Sequence, residues 1–456
     1  MLVVVHGWIR WTMVRIVLAT SVTFAQEAEP EATVPGVIIE TSSQVFDKSR
    51  TVILSSEPAD AKIYYTTDGS MPSKDHGTLY EFRVSIKESS QLMSMAITPE
   101  GETSDIAVAN YLKVADDFDQ DRWNNLEEEH RPSLPIMVID TMGNGAMPGK
   151  GWSQTGAGIT QVPRKPAIWM LFECDPENEN RASISSDLPQ LATRIGIRQR
   201  GSFSSTWKEK PYSIEAWDGE DDDKDVSPLG LPEHSDWLLY YPDPGQQKDR
   251  TLIYNSFMWA LSAKAGRWAP RFRWVEAYIN EDGDRLRVSD RRGLYTLVEK
   301  VSRGKERLDF KKLSDDGRTG GWQLSINRMD AAYHGGWPAK NGVSQPQYFH
   351  TAGTNRTLET PPNTPGRGDD FPQLRRANFN FESPSGYKIK PIQRIAIESW
   401  LYKFEDVLYD DERWLDPKEG YQKHIDSADF VDFFIFKQPR SEFRRAASEH
   451  LPLAIF

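Results

Sequence analysis

The densest run of chemistry-bearing residues is Arg194-Ile-Gly-Ile-Arg-Gln-Arg-Gly-Ser-Phe-Ser-Ser-Thr-Trp-Lys-Glu-Lys-Pro-Tyr-Ser-Ile-Glu215. It alternates like a strand up to Arg200, breaks at Gly201 and passes Ser202, Ser204, Ser205 and Thr206. Lys208 and Lys210 follow, and then a second strand-like run. Backbone N–H groups around a glycine, with small hydroxyls beside them, can cradle phosphate oxygens. A lysine on the strand after the turn can neutralise those oxygens. Neither GxxxxGK[ST] nor GxGxxG occurs here, so this is not the loop of a P-loop enzyme or of an ordinary protein kinase. The alternative is a solvated basic hairpin.

A second constellation is acidic. Asp117, Asp119, Asp121, Asn125 and Glu128 fall at positions 1, 3, 5, 9 and 12 of a loop, the offsets at which calcium loops place hard oxygens. Arg122 stands where such loops want glycine, and a solvated acidic linker is the other reading. Elsewhere carboxylates are abundant, but no motif pairs two of them for glycoside hydrolysis.

These residues need elements to position them. Residues 1–26 read as a signal peptide: a basic flank, an apolar run from Ile16 to Ala25 and small residues before a polar start. That run is too short to span a bilayer. Residues 27–36 are a linker, and 37–114 hold short alternating segments separated by turn clusters, the pattern of a small all-β sandwich. An acidic linker with the calcium-type loop covers 115–133. From 134 to 456 strands and helices mix, predicting an α+β body. Its strands are expected at 135–140, 167–172, 193–200, 212–216, 272–279 and 293–299. Helices are expected at 251–265, at 392–409 and from Ser427, with Phe257, Leu261, Ile392, Ile395, Leu401 and Phe404 on buried faces.

Composition narrows the partners. The chain has 456 residues, 55 Lys plus Arg against 67 Asp plus Glu, and a net charge of −12. With a mean hydropathy of −0.60 this excludes a polytopic membrane protein. It also argues against a nucleic-acid binder, which needs the opposite balance. A single cysteine, Cys174, excludes an intrachain disulfide and a cysteine-based zinc cluster.

Two stretches carry resemblances. Tyr64-Tyr-Thr-Thr-Asp-Gly-Ser-Met-Pro72 resembles the signature of chitobiase-type C-terminal β-domains, Ig-like appendages of exported enzymes. That resemblance implies a structural module, or one that contacts a glycan. The 194–215 run is followed by Leu229-Gly-Leu-Pro, Asp236-Trp-Leu, Val275-Glu-Ala-Tyr-Ile-Asn280 and Gly293-Leu-Tyr-Thr-Leu-Val-Glu-Lys300. In this order the blocks resemble the spore-coat protein H (CotH) kinase family, atypical kinases of exported or coat proteins.

The CotH resemblance implies an atypical protein-kinase-like domain that uses ATP and Mg2+ to phosphorylate serine on secreted, periplasmic or cell-surface proteins. Arg200, Gly201, Ser202, Ser204 and Ser205 would form its phosphate loop, Lys208 or Lys210 would contact the phosphates, and Glu299 would orient that lysine or the metal. The pairing with a chitobiase-type module is familiar among bacterial secreted proteins. The family's Trp-Asp-x-Asp block, expected after Phe436, is absent, so the expectation is a C-terminally truncated kinase domain or a pseudokinase, with no catalytic residue named. A secreted surface or glycan-binding protein built on a pseudokinase scaffold is the alternative.

Overall fold

The computed structural model describes residues 36–115 and 132–423, apart from 150–151, 156–157, 178, 185–188, 202–203, 243–248, 265, 267, 327–336, 339–343, 346–347, 351–377, 387, 409, 411, 415 and 421–422. The chain divides into two compact units, Met1–Val34 and Pro35–Phe456. All described residues belong to the second. The expected signal peptide, the acidic loop with Asp117, Asp119, Asp121, Asn125 and Glu128, and the apolar run after Ser427 lie outside the described residues.

The first part is a β-domain of nine strands: β1 (Gly36–Ile39), β2 (Gln44–Phe46), β3 (Arg50–Val52), β4 (Leu54–Glu57), β5 (Lys62–Thr66), β6 (Thr78–Leu79), β7 (Val84–Ile86), β8 (Ser90–Ile97) and β9 (Ala107–Lys113). A five-stranded sheet in the order β2-β9-β8-β5-β6 faces the pairs β1-β4 and β3-β7. Every second side chain points inward, as a half-buried strand requires. Phe46, Val52, Leu54, Ile63, Val84, Ile86, Leu92 and Tyr111 thereby close one apolar core.

The second part is a closed barrel. Its strands are β10 (Ile136–Asp140), then, after the hairpin β11 (Trp152–Thr155) and β12 (Gly158–Gln161), β13 (Lys165–Phe172), β14 (Leu191–Gln199), β15 (Tyr212–Trp217), β16 (Asp236–Tyr240), β17 (Phe272–Asn280) and β18 (Arg291–Glu299). They close in the order β10-β13-β14-β15-β16-β18-β17, with β17 returning parallel to β10 and every other pair antiparallel. Closure leaves no unpaired edge. Met137, Ile139, Trp169, Ile195, Ile197, Ile214, Trp237, Val275, Tyr295 and Leu297 fill the interior.

The outward residues of β10 and β13 are apolar too. Ile136, Val138, Ile168, Met170 and Phe172 share a second cluster with Leu112 and Val114 from the end of the β-domain. A strand apolar on both faces must be covered on both. This explains the unbroken Ile136-Met-Val-Ile139 run, buried along its whole length.

A small sheet, β19 (Gln323–Ile326), β22 (Tyr348–His350) and β23 (Asn378–Ser383), lies beyond the barrel with the pair β20 (Trp337–Pro338) and β21 (Ser344–Gln345). Two helices complete the described residues, α1 (Tyr254–Lys264) and α2 (Pro391–Leu408). The mixed α+β body expected from 134 onward is therefore, among the described residues, mainly strands with two helices. The helical faces also differ from expectation. Phe257, Leu261, Ile392 and Ile395 are exposed, whereas Ile397, Leu401, Phe404 and Val407 are buried. Helix α2 thus buries a stripe offset from the one its first residues suggest. Strands β20, β21, β22 and β23 all fall within 331–386, a stretch rich in Pro, Gly and Asn. No described helix is long and apolar enough to cross a membrane.

Candidate functional site

Strand β14 ends at Gln199, and the ladder to β15 closes with Arg200 N–H donating to the Pro211 carbonyl (2.9 Å). Gly201 then takes a φ of 85°, which glycine adopts without steric penalty, and the chain reverses. A single 3-10 turn follows at Ser204–Thr206, and buried Trp207 anchors it. The expected strand–turn–strand layout is present, and Arg200, Gly201, Ser204, Lys208 and Lys210 share one turn. Ser202 and the Ser205 side chain lie outside the described residues.

The lysines stand between the turn and the second strand, in the order read from the sequence. Both precede β15, which begins at Tyr212, so neither lies on the following strand. Lys208 is exposed and Lys210 half-buried. The Lys210 carbonyl accepts a hydrogen bond from the Tyr295 hydroxyl (3.2 Å), tying the far side of the turn to β18. Burial pushes the Tyr295 and Tyr212 hydroxyls up, so both stay protonated donors. On the near side, Gln199 donates to the Met147 carbonyl (3.1 Å) and its N–H to Pro148 (2.9 Å). The base of the turn is thus clamped from two directions.

Burial pushes the Arg200 guanidinium down from its ordinary range, and the charge of Glu382 on β23 opposes that shift; the Glu382 carboxylate accepts from Ser325 of β19 (2.6 Å). No local signal marks Glu382, which lies far along the chain. Tyr295 was visible inside the Gly293–Lys300 block, but its bond to the turn was not.

Glu299 is held by arginines. Its side chain is fully buried, and Arg271 takes both oxygens: Nη2 donates to Oε1 (2.8 Å), Nε to Oε2 (3.1 Å), and the Arg271 backbone N–H to Oε2 (2.8 Å). Arg307 Nε lies 4.0 Å away and its guanidinium covers the Trp237 ring at 5.2 Å. Tyr295, which marks the level of the turn, is four residues back along β18, about 13 Å at strand rise. Glu299 thus belongs to an ion network with Arg271 and Arg307 at the end of β18.

Arg200, Lys208 and Lys210 bracket one turn, a residue composition suited to phosphate oxygens. For a metal the fit is not made. Among the described residues no group of three or more His, Cys, Asp or Glu converges to hold an ion, so no magnesium ligand is assigned.

The described residues form a closed β-barrel with a cationic glycine turn and a smaller β-domain joined to it. Residues 197–442 match the family model described as CotH kinase protein, and residues 41–108 match that of the chitobiase/beta-hexosaminidase C-terminal domain. The first match spans more than half of the chain, which belongs to the CotH kinase protein family. No curated protein matches. Among solved structures, the D00-D0 domain of Intimin aligns at 6% identity over 45% of this chain and 90% of its own, with a TM-score of 0.16, which carries no argument.

Proposed function

We propose that this chain is an exported atypical kinase-like protein that transfers phosphate from ATP, with Mg2+, to serine on secreted or cell-surface proteins. The observation that carries this reading is the single turn holding Arg200, Gly201, Lys208 and Lys210 inside the residues matched to the CotH family. Bound ATP would supply the phosphoryl group, and a divalent cation would screen its charge. The chain's own part is to grip. Arg200, Lys208 and Lys210 neutralise phosphate oxygens while the turn's N–H groups orient them, and Tyr295 keeps the turn from sliding.

The test is titration calorimetry of the full chain with ATP and Mg2+, paired with a phosphate-transfer assay on serine peptides. Binding together with transfer supports the kinase. Binding without transfer assigns a pseudokinase, the scaffold of a surface or glycan-binding protein. Absence of nucleotide binding, with the protein folded, overturns the reading.

A further inference from the structure

We propose that the Asp68-Gly69 turn of the β-domain is a docking element for the barrel, that its partner is the Arg194 guanidinium, and that the two parts unfold as one unit. Arg194 leaves β14 on the outer face of the barrel, yet its side chain is only 3% exposed. Its Nη1 donates to the Gly69 carbonyl (2.7 Å) and to Gln91 Oε1, and lies 3.4 Å from Met93 Sδ. Its other face is held within the barrel, where Nε and Nη2 both reach Asp221 Oδ1 (2.9 and 2.6 Å) and the guanidinium stands 5.7 Å from the Trp217 ring centroid. A buried guanidinium is tolerated only when paired and hydrogen-bonded. Here the barrel supplies the counter-charge and the β-domain supplies the remaining acceptors.

The β-domain side is built for this role. Gln91 is fully buried, and its amide donates to Asn110 Oδ1 (2.8 Å), which leaves its oxygen aimed at Arg194. Gly69 N–H donates to the Gln91 carbonyl (3.2 Å), fixing the turn against the same strand. Gly69 has a φ of 77°, and a Cβ there would lie 2.8 Å from Gln91 Oε1 and 3.1 Å from Arg194 Nη1. The glycine of the signature string is therefore required twice, by backbone conformation and by the approach of the barrel's arginine. Asp68 stays exposed and shapes the turn, its Oδ1 accepting from Ser70 N–H (3.0 Å) and Ser70 Oγ (2.5 Å).

The seam extends on both sides of Arg194. Lys113 and Ala115 exchange backbone hydrogen bonds with Leu286 (2.9 and 2.8 Å), extending the end of β9 onto the barrel. Leu112 and Val114 join the apolar cluster of Ile136, Val138 and Met170. Gly219 sits so close to Ile106 that a Cβ on it would lie 2.6 Å from the Ile106 carbonyl oxygen. The whole seam lies within one compact unit of the chain.

The test uses the full chain with a protease recognition site inserted at residue 120. After cleavage the two fragments should co-elute in size-exclusion chromatography, and the uncut protein should show one calorimetric unfolding transition. Arg194→Met and Gly69→Ala should each weaken the association, seen as fragment separation or as two transitions. A double-mutant cycle of Arg194→Met with Gln91→Ala should be non-additive in melting temperature, while Lys62→Gln, at an exposed position of β5, should leave co-elution intact. Fragments of the unmutated chain that separate after cleavage, or an additive cycle, would overturn the proposal.

Discussion

Arg194 and Arg200 stand on one continuous stretch, near the start of β14 and just past its end, about 20 Å apart at strand rise. The first is buried against the β-domain. The second opens the cationic turn. The strand that delivers the turn is therefore the strand that the N-terminal β-domain grips, and the barrel presents the turn from a backbone held at both ends.

The turn lysines give the first prediction. Lys210→Ala should weaken ATP binding about tenfold, the scale of one lost charge-assisted hydrogen bond. Lys208→Ala, from a more exposed position, should cost less. Neither change removes a packed side chain from the core, so melting temperatures should hold. Calorimetric titration alongside thermal unfolding separates the two effects.

Glu299 should behave differently. Glu299→Ala leaves Arg271 and Arg307 without their shared carboxylate and is expected to destabilise the fold by roughly 3 kcal/mol. Because Arg271 and Arg307 hold its carboxylate, nucleotide affinity of the folded protein should not change. Denaturant unfolding measures the first quantity and titration the second. A loss of affinity with stability intact would place Glu299 at the site.

Asp140 predicts a pH dependence. It is fully buried at the seam between barrel and β-domain, accepting from Met142 N–H (2.6 Å) and Asn280 Nδ2 (3.1 Å), with a further bond to Ser89. Burial pushes its carboxyl up to about 6, the three hydrogen bonds oppose the rise, and the nearby Asp290 carboxylate adds to it. The folded state therefore holds this proton more tightly than the unfolded chain does. The resulting stabilisation is complete below pH ~4 and is lost as pH rises through about 6, a change of roughly 3 kcal/mol. Asp140→Asn should flatten that part of the stability profile, measured by urea unfolding between pH 4 and 7.

Asp117, Asp119, Asp121, Asn125 and Glu128 have two readings, a calcium loop and a solvated acidic linker. On the first, calorimetric titration of the full chain with Ca2+ shows one site, weakened at least tenfold in Asp119→Asn. No heat of binding in the unmutated chain would remove calcium from the account.

Local signals settled a good deal. Alternation located the strands observed at 165–172, 191–199, 212–217, 272–280 and 291–299 to within about two residues, and apolar spacing located both described helices, because backbone periodicity is a property of neighbouring residues. The Gly201 turn and its cations were legible for the same reason, and so were both family resemblances, which rest on contiguous strings. What tertiary structure alone decided is which side chains meet. Glu299 and Lys300 look like a pair in the sequence, but neighbours on a strand point to opposite faces. One goes to Arg271 and the other to Asp236. Arg194 finds Gly69 across a separation on which periodicity is silent. Closing seven strands into a barrel aligned those distant residues, and burying an apolar second face of β10 and β13 required the β-domain as its cover.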